Sequence, residues 1–315
     1  MTFRNRVIHL MGTVISLQID HEKPNDILDS LEVKLKEYEH RFSANDETSE
    51  LMKINQNAGI QSITVDPELF ELIAIGKKHS MASDSLLNIA IGPLVQSWRI
   101  GFSDAKVPSE LEIKEKLSLI DPGNICLNSE NKTVYLNKKG MKIDLGCLAK
   151  GYIADCLLHD LKKLGVKSAL LNLGGNIVTL GPSPKATFWR IGIQHPDLER
   201  NQSLEVLKVE DESVVTSGIY ERHLEKQGKS YHHILDPNTG YPVESEILSL
   251  TIVSKKSVDG EIWTTRLFGK TEQEILLELN RQPGVEGYIV TKHGCSYSNG
   301  LKNKLMITKK EGILS

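Results

Sequence analysis

The apolar positions between Arg6 and Asp20 alternate with polar ones around Val7, Leu10, Val14, Leu17 and Ile19. They predict a strand, bent or bulged where Met11-Gly12-Thr13 interrupts it. From Asn25 the spacing becomes a mixed three and four, through Ile27, Leu28, Leu31, Val33, Leu35 and Tyr38, and predicts a helix. A polar loop then leads to a short helix capped by Thr48 or Ser49. Asp66-Pro67 opens another helix reaching about Ala82, since proline fits the first helical position. Residues 86–98 predict a loop and a short helix, 109–119 a capped helix, and 124–127 with 133–136 a hairpin. A short strand is expected at 141–145. The clearest helix runs over 147–164 and is ended by Gly165. Further strands are expected at 168–173, 189–194, 204–209, 248–254 and 288–291. Helices are expected from about Gly260 to Phe268 and from Thr271 to about Arg281.

Strands outnumber what strict strand–helix alternation would give, and they cluster in runs. This favours an α+β fold, with mixed, largely antiparallel sheets flanked by helices, over a doubly wound parallel sheet. No repeat, low-complexity tract or linker divides the chain, so residues 1–315 are expected to form one domain whose subdomains, if any, are not separable by sequence.

The composition narrows the function more by exclusion than by suggestion. With 25% charged and 39% hydrophobic residues, the 315-residue chain is that of an ordinary globular protein. A formal net charge of -3 gives no global reason to bind nucleic acid. No apolar run approaches the roughly 20 residues of a membrane span. The start, MTFRNRVIHLMGTV, lacks the apolar core of a signal peptide. Cys126, Cys147, Cys156 and Cys295 are scattered without a CxxC and are expected to be free thiols.

Four segments could carry chemistry. In Val214–Val243, a turn predicted at Thr216-Ser217-Gly218 leads to a strand-like run ending at His232 and His233, followed by the turn Asp236-Pro-Asn-Thr-Gly240. Two imidazoles between turns suit a site better than a core strand, and His233, next to the turn, is the stronger base. No third ligand has zinc spacing to them. Asp144-Leu-Gly-Cys-Leu-Ala-Lys-Gly151 joins a strand to a helix, offering either an anion or metal contact with Lys150 as a charge partner, or an ordinary capped turn. Asn172-Leu-Gly-Gly-Asn176 lets a ligand approach the backbone or makes a tight turn. Glu261 and Thr265, four apart, share a helix face as hard oxygen donors suited to Mg²⁺, and Asp259, just before that helix, caps it or joins the metal.

In order along the chain, Met11-Gly12-Thr13, Ser49-Glu50-Leu51 with Asn55, Ile91-Gly-Pro-Leu-Val95 with Trp98, Asp144-Leu-Gly with Ala149-Lys-Gly151, Asn172-Leu-Gly-Gly175, Thr216-Ser-Gly218 and His233-Ile-Leu-Asp-Pro-Asn-Thr-Gly240 together resemble the ApbE family, the FAD:protein FMN transferases. The resemblance implies an ApbE-like, T-fold-like architecture. It also implies a Mg²⁺-dependent enzyme that cleaves the FAD pyrophosphate, moves FMN onto a Ser or Thr hydroxyl of an acceptor protein and releases AMP. Carried over by position, Met11, Asn45, Leu87, Asn88, Asp144, Lys150 and Ile234 would contact FAD. His233 would be the base, with Asp259 counted beside it. The metal would be held by a backbone oxygen near Cys147, by Thr265, and by a carboxylate that is either Glu261 or Asp259. The sequence departs from the family pattern here: Gly-Glu-Ile-Trp-Thr-Thr stands where the family usually has Ala-Asp-Ala-Leu-Ser-Thr. Asn88 also replaces a usual aspartate, and the aromatic residue common near Asn45 is missing. By family analogy the protein would work in the cell envelope, tethered through a removed lipoprotein leader, with the cytoplasm as the other location. Two further functions share the same metal chemistry or fold: an FAD pyrophosphatase giving FMN and AMP, and an FAD-binding protein without catalysis.

Overall fold

The computed structural model describes residues 2–194, 203–226 and 228–306. The first apolar alternation does not bend; it reverses. β1 (Thr2–Leu10) and β2 (Thr13–His21) pair antiparallel, closing at Leu10↔Thr13. Met11 and Gly12 between them have φ of 56° and 66°. Left-handed values at both positions of a two-residue link make the hairpin turn whose twist matches the strands. The expected bulge is therefore a tight reversal with Met11 at its tip.

α1 (Pro24–Phe42) follows, and then α2 (Glu50–Gln56), whose cap is Ser49: its hydroxyl accepts the Met52 amide at 2.9 Å. β3 (Ile63–Thr64) precedes α3 (Pro67–Ser80), which Asp66 caps through the Glu68 amide at 2.8 Å. α4 (Gly92–Trp98), α5 (Glu110–Leu117), β4 (Ile125–Asn128) and β5 (Thr133–Leu136) come next. β3, β5 and β4 form a small antiparallel sheet.

The strand expected at 141–145 is not one. Met141, Ile143 and Leu145 are buried, but the ladder there is a single bridge between Lys142 and Ile91. The backbone of Ile143 is satisfied instead by the amide of Asn55, which accepts its N–H at 2.7 Å and donates to its carbonyl at 3.0 Å. The segment is buried at its odd positions, yet its central residue bonds to a side chain while the Asp144 N–H reaches the Ile89 carbonyl at 2.9 Å.

α6 (Ala149–Lys163) begins two residues later than expected, leaving Cys147 in the preceding turn. β6 (Ser168–Leu173) and β7 (Asn176–Leu180) form a second hairpin across Gly174 and Gly175, with φ of 65° and 91°. β8 (Trp189–Gln194) and β9 (Ser203–Val209) precede β10 (Ser213–Gly218). Thr216–Gly218, expected as a turn, thus lies inside a strand, where the Thr216 and Thr251 hydroxyls bond at 2.8 Å across the pair. β11 (His223–Lys226) and β12 (Lys229–His232) make a separate hairpin. β13 (Ile247–Ser254), α7 (Ser257–Leu267), α8 (Glu272–Leu279), β14 (Val285–Thr291), β15 (Gly294–Tyr297) and β16 (Leu305–Met306) complete the chain order. α7 starts earlier than expected, so Asp259 lies in its first turn and not before it.

The main sheet has eight strands in the order β1-β2-β6-β7-β10-β13-β14-β15, and every neighbouring pair is antiparallel. The expected α+β class holds. Ile15, Leu17 and Ile19 of β2 and Ala169, Leu171 and Leu173 of β6 pack against α1, α6 and α7. The opposite face carries the β16-β9-β8 sheet, with Ile191, Ile193 and Leu207 against Val214, Val253 and Val290. A third cluster seats Leu267, Phe268 and Ile275 on Leu250 and Ile289. Because β2 and β6 are neighbours, the Met11-Gly12 and Gly174-Gly175 turns lie side by side at one end of the sheet. The segment from Ile219 to Glu246 leaves and re-enters at that same end, where Gly218 pairs with Ser249.

Candidate active site

The histidine segment is clamped from below. Trp98, with no exposed surface, donates its indole N–H to the Gly240 carbonyl at 2.9 Å and packs edge-on to Tyr241 and tilted on Tyr231. Asp236 accepts the Asn238 amide at 2.8 Å, and its own carbonyl accepts from Gly240 at 2.8 Å. Gly240 is required: its φ is 77°, and a Cβ there would stand 2.5 Å from Ile113.

This frame separates the two imidazoles. His232 donates from Nε2 to the Val243 carbonyl at 2.9 Å and accepts the Ile234 amide at Nδ1 at 3.3 Å. Both ring nitrogens are engaged, and the ring is a strut. His233 donates from Nδ1 to the Arg222 carbonyl at 3.3 Å. That bond fixes the tautomer with the lone pair on Nε2. His233 is exposed at its surface, with protein atoms packed around the rest of its ring. The crowding, aided by the nearby charges of Arg222, His232 and Lys150, pushes its pKa down to about 4 against the pull of the Arg222 carbonyl. Its ring is neutral at pH 7.

The second half of the site is the contact of α6 with α7. Gly151 allows it, since a Cβ there would meet Glu261 Cγ and the Ser257 carbonyl, each at 2.7 Å. Glu261, 5% exposed, accepts the Asn176 amide at 3.0 Å on Oε1 and faces Lys150 Nζ at 3.4 Å. In the turn before α6, Asp144 accepts the Gly146 amide at 2.8 Å. Burial raises the Asp144 pKa, against that bond and the charge of Arg222. The Cys147 thiol is pushed up to about 12, by burial first and then by Asp144 and Glu261. Pairwise charge effects thus link Arg222 to Asp144 and His233, Lys150 to His233, Cys147 and Glu261, and Cys147 to Asp144 and Glu261. Arg222 was not singled out by the sequence reading; no local pattern marks it.

The remaining expected residues divide. Thr265 is half-buried one turn along α7 from Glu261, on the same side. Asp259, two residues before Glu261, lies about 160° away around the helix. It stands near Asp155 and Lys256, whose charges it feels. Of the two carboxylates left open, Glu261 is the one the fold brings to Lys150 and Cys147. Met11 donates its amide to Glu39 at 2.5 Å, and Asn45 lines a surface hollow with the same Glu39. Ile234 is half-buried beside His233. Leu87 has no exposed surface, and the Asn88 amide is engaged at both ends, by the Ile120 carbonyl and the Ala90 N–H, each at 2.8 Å.

All four cysteines are free. Among the described residues, no three His, Cys, Asp or Glu side chains gather as a metal site. What α7 and the turn before α6 offer is a different set: one carboxylate (Glu261), one hydroxyl (Thr265) and backbone carbonyls near Cys147. These are hard oxygens, and they fit Mg²⁺ better than a thiophilic ion.

Residues 11–289 match the ApbE family. A protein of Klebsiella pneumoniae (strain 342) described as an FAD:protein FMN transferase is 40% identical over 284 residues, covering 90% of this chain and 88% of its own. One of Treponema pallidum (strain Nichols) with the same description is 32% identical, over 89% of this chain and 82% of its own. The crystal structure of the ApbE protein of Thermotoga maritima matches with a TM-score of 0.88 at 27% identity, covering 96% of this chain and 99% of that one. The apo flavinyl transferase ApbE of Pseudomonas stutzeri shares the fold, with a TM-score of 0.83 at 22% identity and 96% of each chain covered.

Proposed function

This chain belongs to the ApbE family, and from that membership we propose that it moves FMN from FAD onto a Ser or Thr hydroxyl of an acceptor protein, with Mg²⁺ required and AMP released. The observation that carries the chemistry is His233: a neutral imidazole whose Nδ1 is tied to a carbonyl, within reach of the charge of Lys150, which itself pairs with Glu261.

The acceptor oxygen attacks the FMN phosphorus, its O–P bond forms as the pyrophosphate P–O bond breaks, and AMP departs with that oxygen. The hydroxyl proton passes to His233 Nε2. The lowered pKa keeps that nitrogen unprotonated until the hydroxyl arrives. Lys150 supplies positive charge at the pyrophosphate, where the transition state spreads negative charge over its oxygens. Glu261, Thr265 and the carbonyls near Cys147 would hold Mg²⁺, which when bound neutralises the same phosphates. Trp98 and the Asp236–Gly240 turn keep the His233 backbone in place and contribute no chemistry of their own.

The test is mass spectrometry under denaturing conditions of Ser- and Thr-containing acceptor segments after incubation with the chain, FAD and Mg²⁺. An added FMN on the hydroxyl is expected. FMN and AMP appearing at one rate with or without acceptor, and no adduct, would replace transfer by hydrolysis.

A further inference from the structure

Arg222 is the cation at this site that no side chain among the described residues pairs with. Among the described residues its guanidinium makes no hydrogen bond and no ion pair, although Asp144 is close enough to feel its charge. Its backbone is held firmly: the Arg222 carbonyl accepts both the His233 amide, at 3.2 Å, and His233 Nδ1, at 3.3 Å. Its side chain passes between two glycines with positive φ. A Cβ at Gly101 would stand 2.9 Å from Arg222 Cδ, and one at Gly12 3.5 Å from Nη2. Room for the side chain has thus been left on two separate loops, one of them the β1–β2 turn. Lys150 also acts on His233 through its charge, but it is already drawn to Glu261 at 3.4 Å. Two cations whose charges reach one imidazole, one of them without a partner among the described residues, suit an anionic ligand.

We propose that Arg222 is a substrate-binding residue that grips a phosphate of the FAD pyrophosphate opposite Lys150, so that the phosphorus under attack lies beside His233. This rests on the flavin-transfer reading above. A planar fork matches two phosphate oxygens, whereas a lysine offers a single point of charge.

The test is direct binding in the presence of Mg²⁺, by calorimetry, of three probes to the wild-type chain and to the Arg222→Gln and Arg222→Lys variants. The probes are FAD, ADP (the pyrophosphate without flavin) and riboflavin (flavin without phosphate). The wild type should bind ADP. Arg222→Gln should weaken ADP and FAD by about tenfold or more, the loss of a charge-assisted hydrogen-bonded pair. Riboflavin binding should be unchanged, and Arg222→Lys should recover part of the ADP affinity. The proposal is overturned if the wild type does not bind ADP. It is equally overturned if Arg222→Gln binds ADP as the wild type does, or if riboflavin weakens in step with ADP, which would mark a displaced loop. A wild-type chain that binds ADP through Arg222 yet transfers no flavin would sink the transfer reading and leave the phosphate contact standing.

Discussion

Asn176 donates its amide to Glu261 Oε1 at 3.0 Å and accepts the Ser257 hydroxyl at 2.5 Å. The first residue of β7 thereby fixes the start of α7 and one oxygen of a carboxylate that is almost fully buried. Asn176→Ala removes both bonds and leaves Glu261 with Lys150 alone. A lost partner for a buried charged group costs about 1–3 kcal/mol. Urea unfolding should show that loss, and the Mg²⁺ concentration giving half-maximal transfer should rise. Unchanged values of both would mean that Glu261 does not depend on Asn176.

The two histidines should separate cleanly. His233→Ala should lower kcat by about 10²–10⁴, the range for a lost general base, with little change in stability. His232→Ala should cost about 1–3 kcal/mol of stability, because it strands the Val243 carbonyl and the Ile234 amide. Its effect on kcat should be far smaller. The pH dependence has a definite sign. The His233 pKa is depressed to about 4 from an ordinary 6.5. Catalysis needing the neutral ring should persist as pH falls through 6.5 and fail only toward 4. Between those values the unfolded chain binds more protons, so this group's stability contribution is present above 6.5 and lost as pH falls through about 4. An acid limb of kcat/KM near 6.5 that vanishes in His233→Ala would contradict this assignment.

Local chemistry made part of this legible before any fold was known. Ser49 and Asp66 cap helices because their oxygens reach their own next turn, and the antiparallel class followed from runs of strands. What failed depended on distant partners. A lone glycine in an alternating run reads as a bulge, whereas Met11-Gly12 is a reversal whose two halves look identical in period. Residues 141–145 read as a strand because the satisfying group, Asn55, lies 88 positions away. Motif order brought Asp144, Lys150, His233 and Glu261 to attention. Arg222 escaped because the space that defines it is made by Gly12 and Gly101, more than a hundred residues earlier.

Glu261 and Asp259 differ in position, and their variants should differ in metal dependence. Glu261→Gln should weaken Mg²⁺ binding on the order of a hundredfold or more, above the range for outer-shell contacts. Thr265→Val should weaken it too. Asp259→Asn should leave Mg²⁺ affinity nearly unchanged and cost about 0.3–1 kcal/mol, since it removes a negative charge from the first turn of α7. EDTA should abolish transfer and added Mg²⁺ restore it. Mg²⁺ titrations followed by calorimetry would decide between the carboxylates, and a large loss in Asp259→Asn alone would move the metal to the other face.

Asp155 acts as a cap borrowed from a neighbouring helix. The residue before α7, Lys256, offers no side-chain cap. Asp155, on α6, accepts the Ser257 amide at 2.8 Å and the Val258 amide at 3.0 Å. Helix N-termini favour such a carboxylate, yet burial dominates and, with Asp259 nearby, raises the Asp155 pKa to about 6. The folded state therefore binds more protons than the unfolded one between the ordinary carboxylate value of about 3.9 and about 6. Stability from this group is fully present below that window and is lost as pH rises through about 6. Asp155→Asn keeps one acceptor and removes the buried charge. It should be at least as stable as the wild type at pH 7, with a flatter stability profile between pH 4 and 6. Asp155→Ala keeps no acceptor and should lose about 1–2 kcal/mol. Urea unfolding at pH 4.5 and pH 7 measures both. An Asp155→Asn profile parallel to the wild type would mean that the carboxylate is charged throughout, and that α7 is capped by a permanent ion.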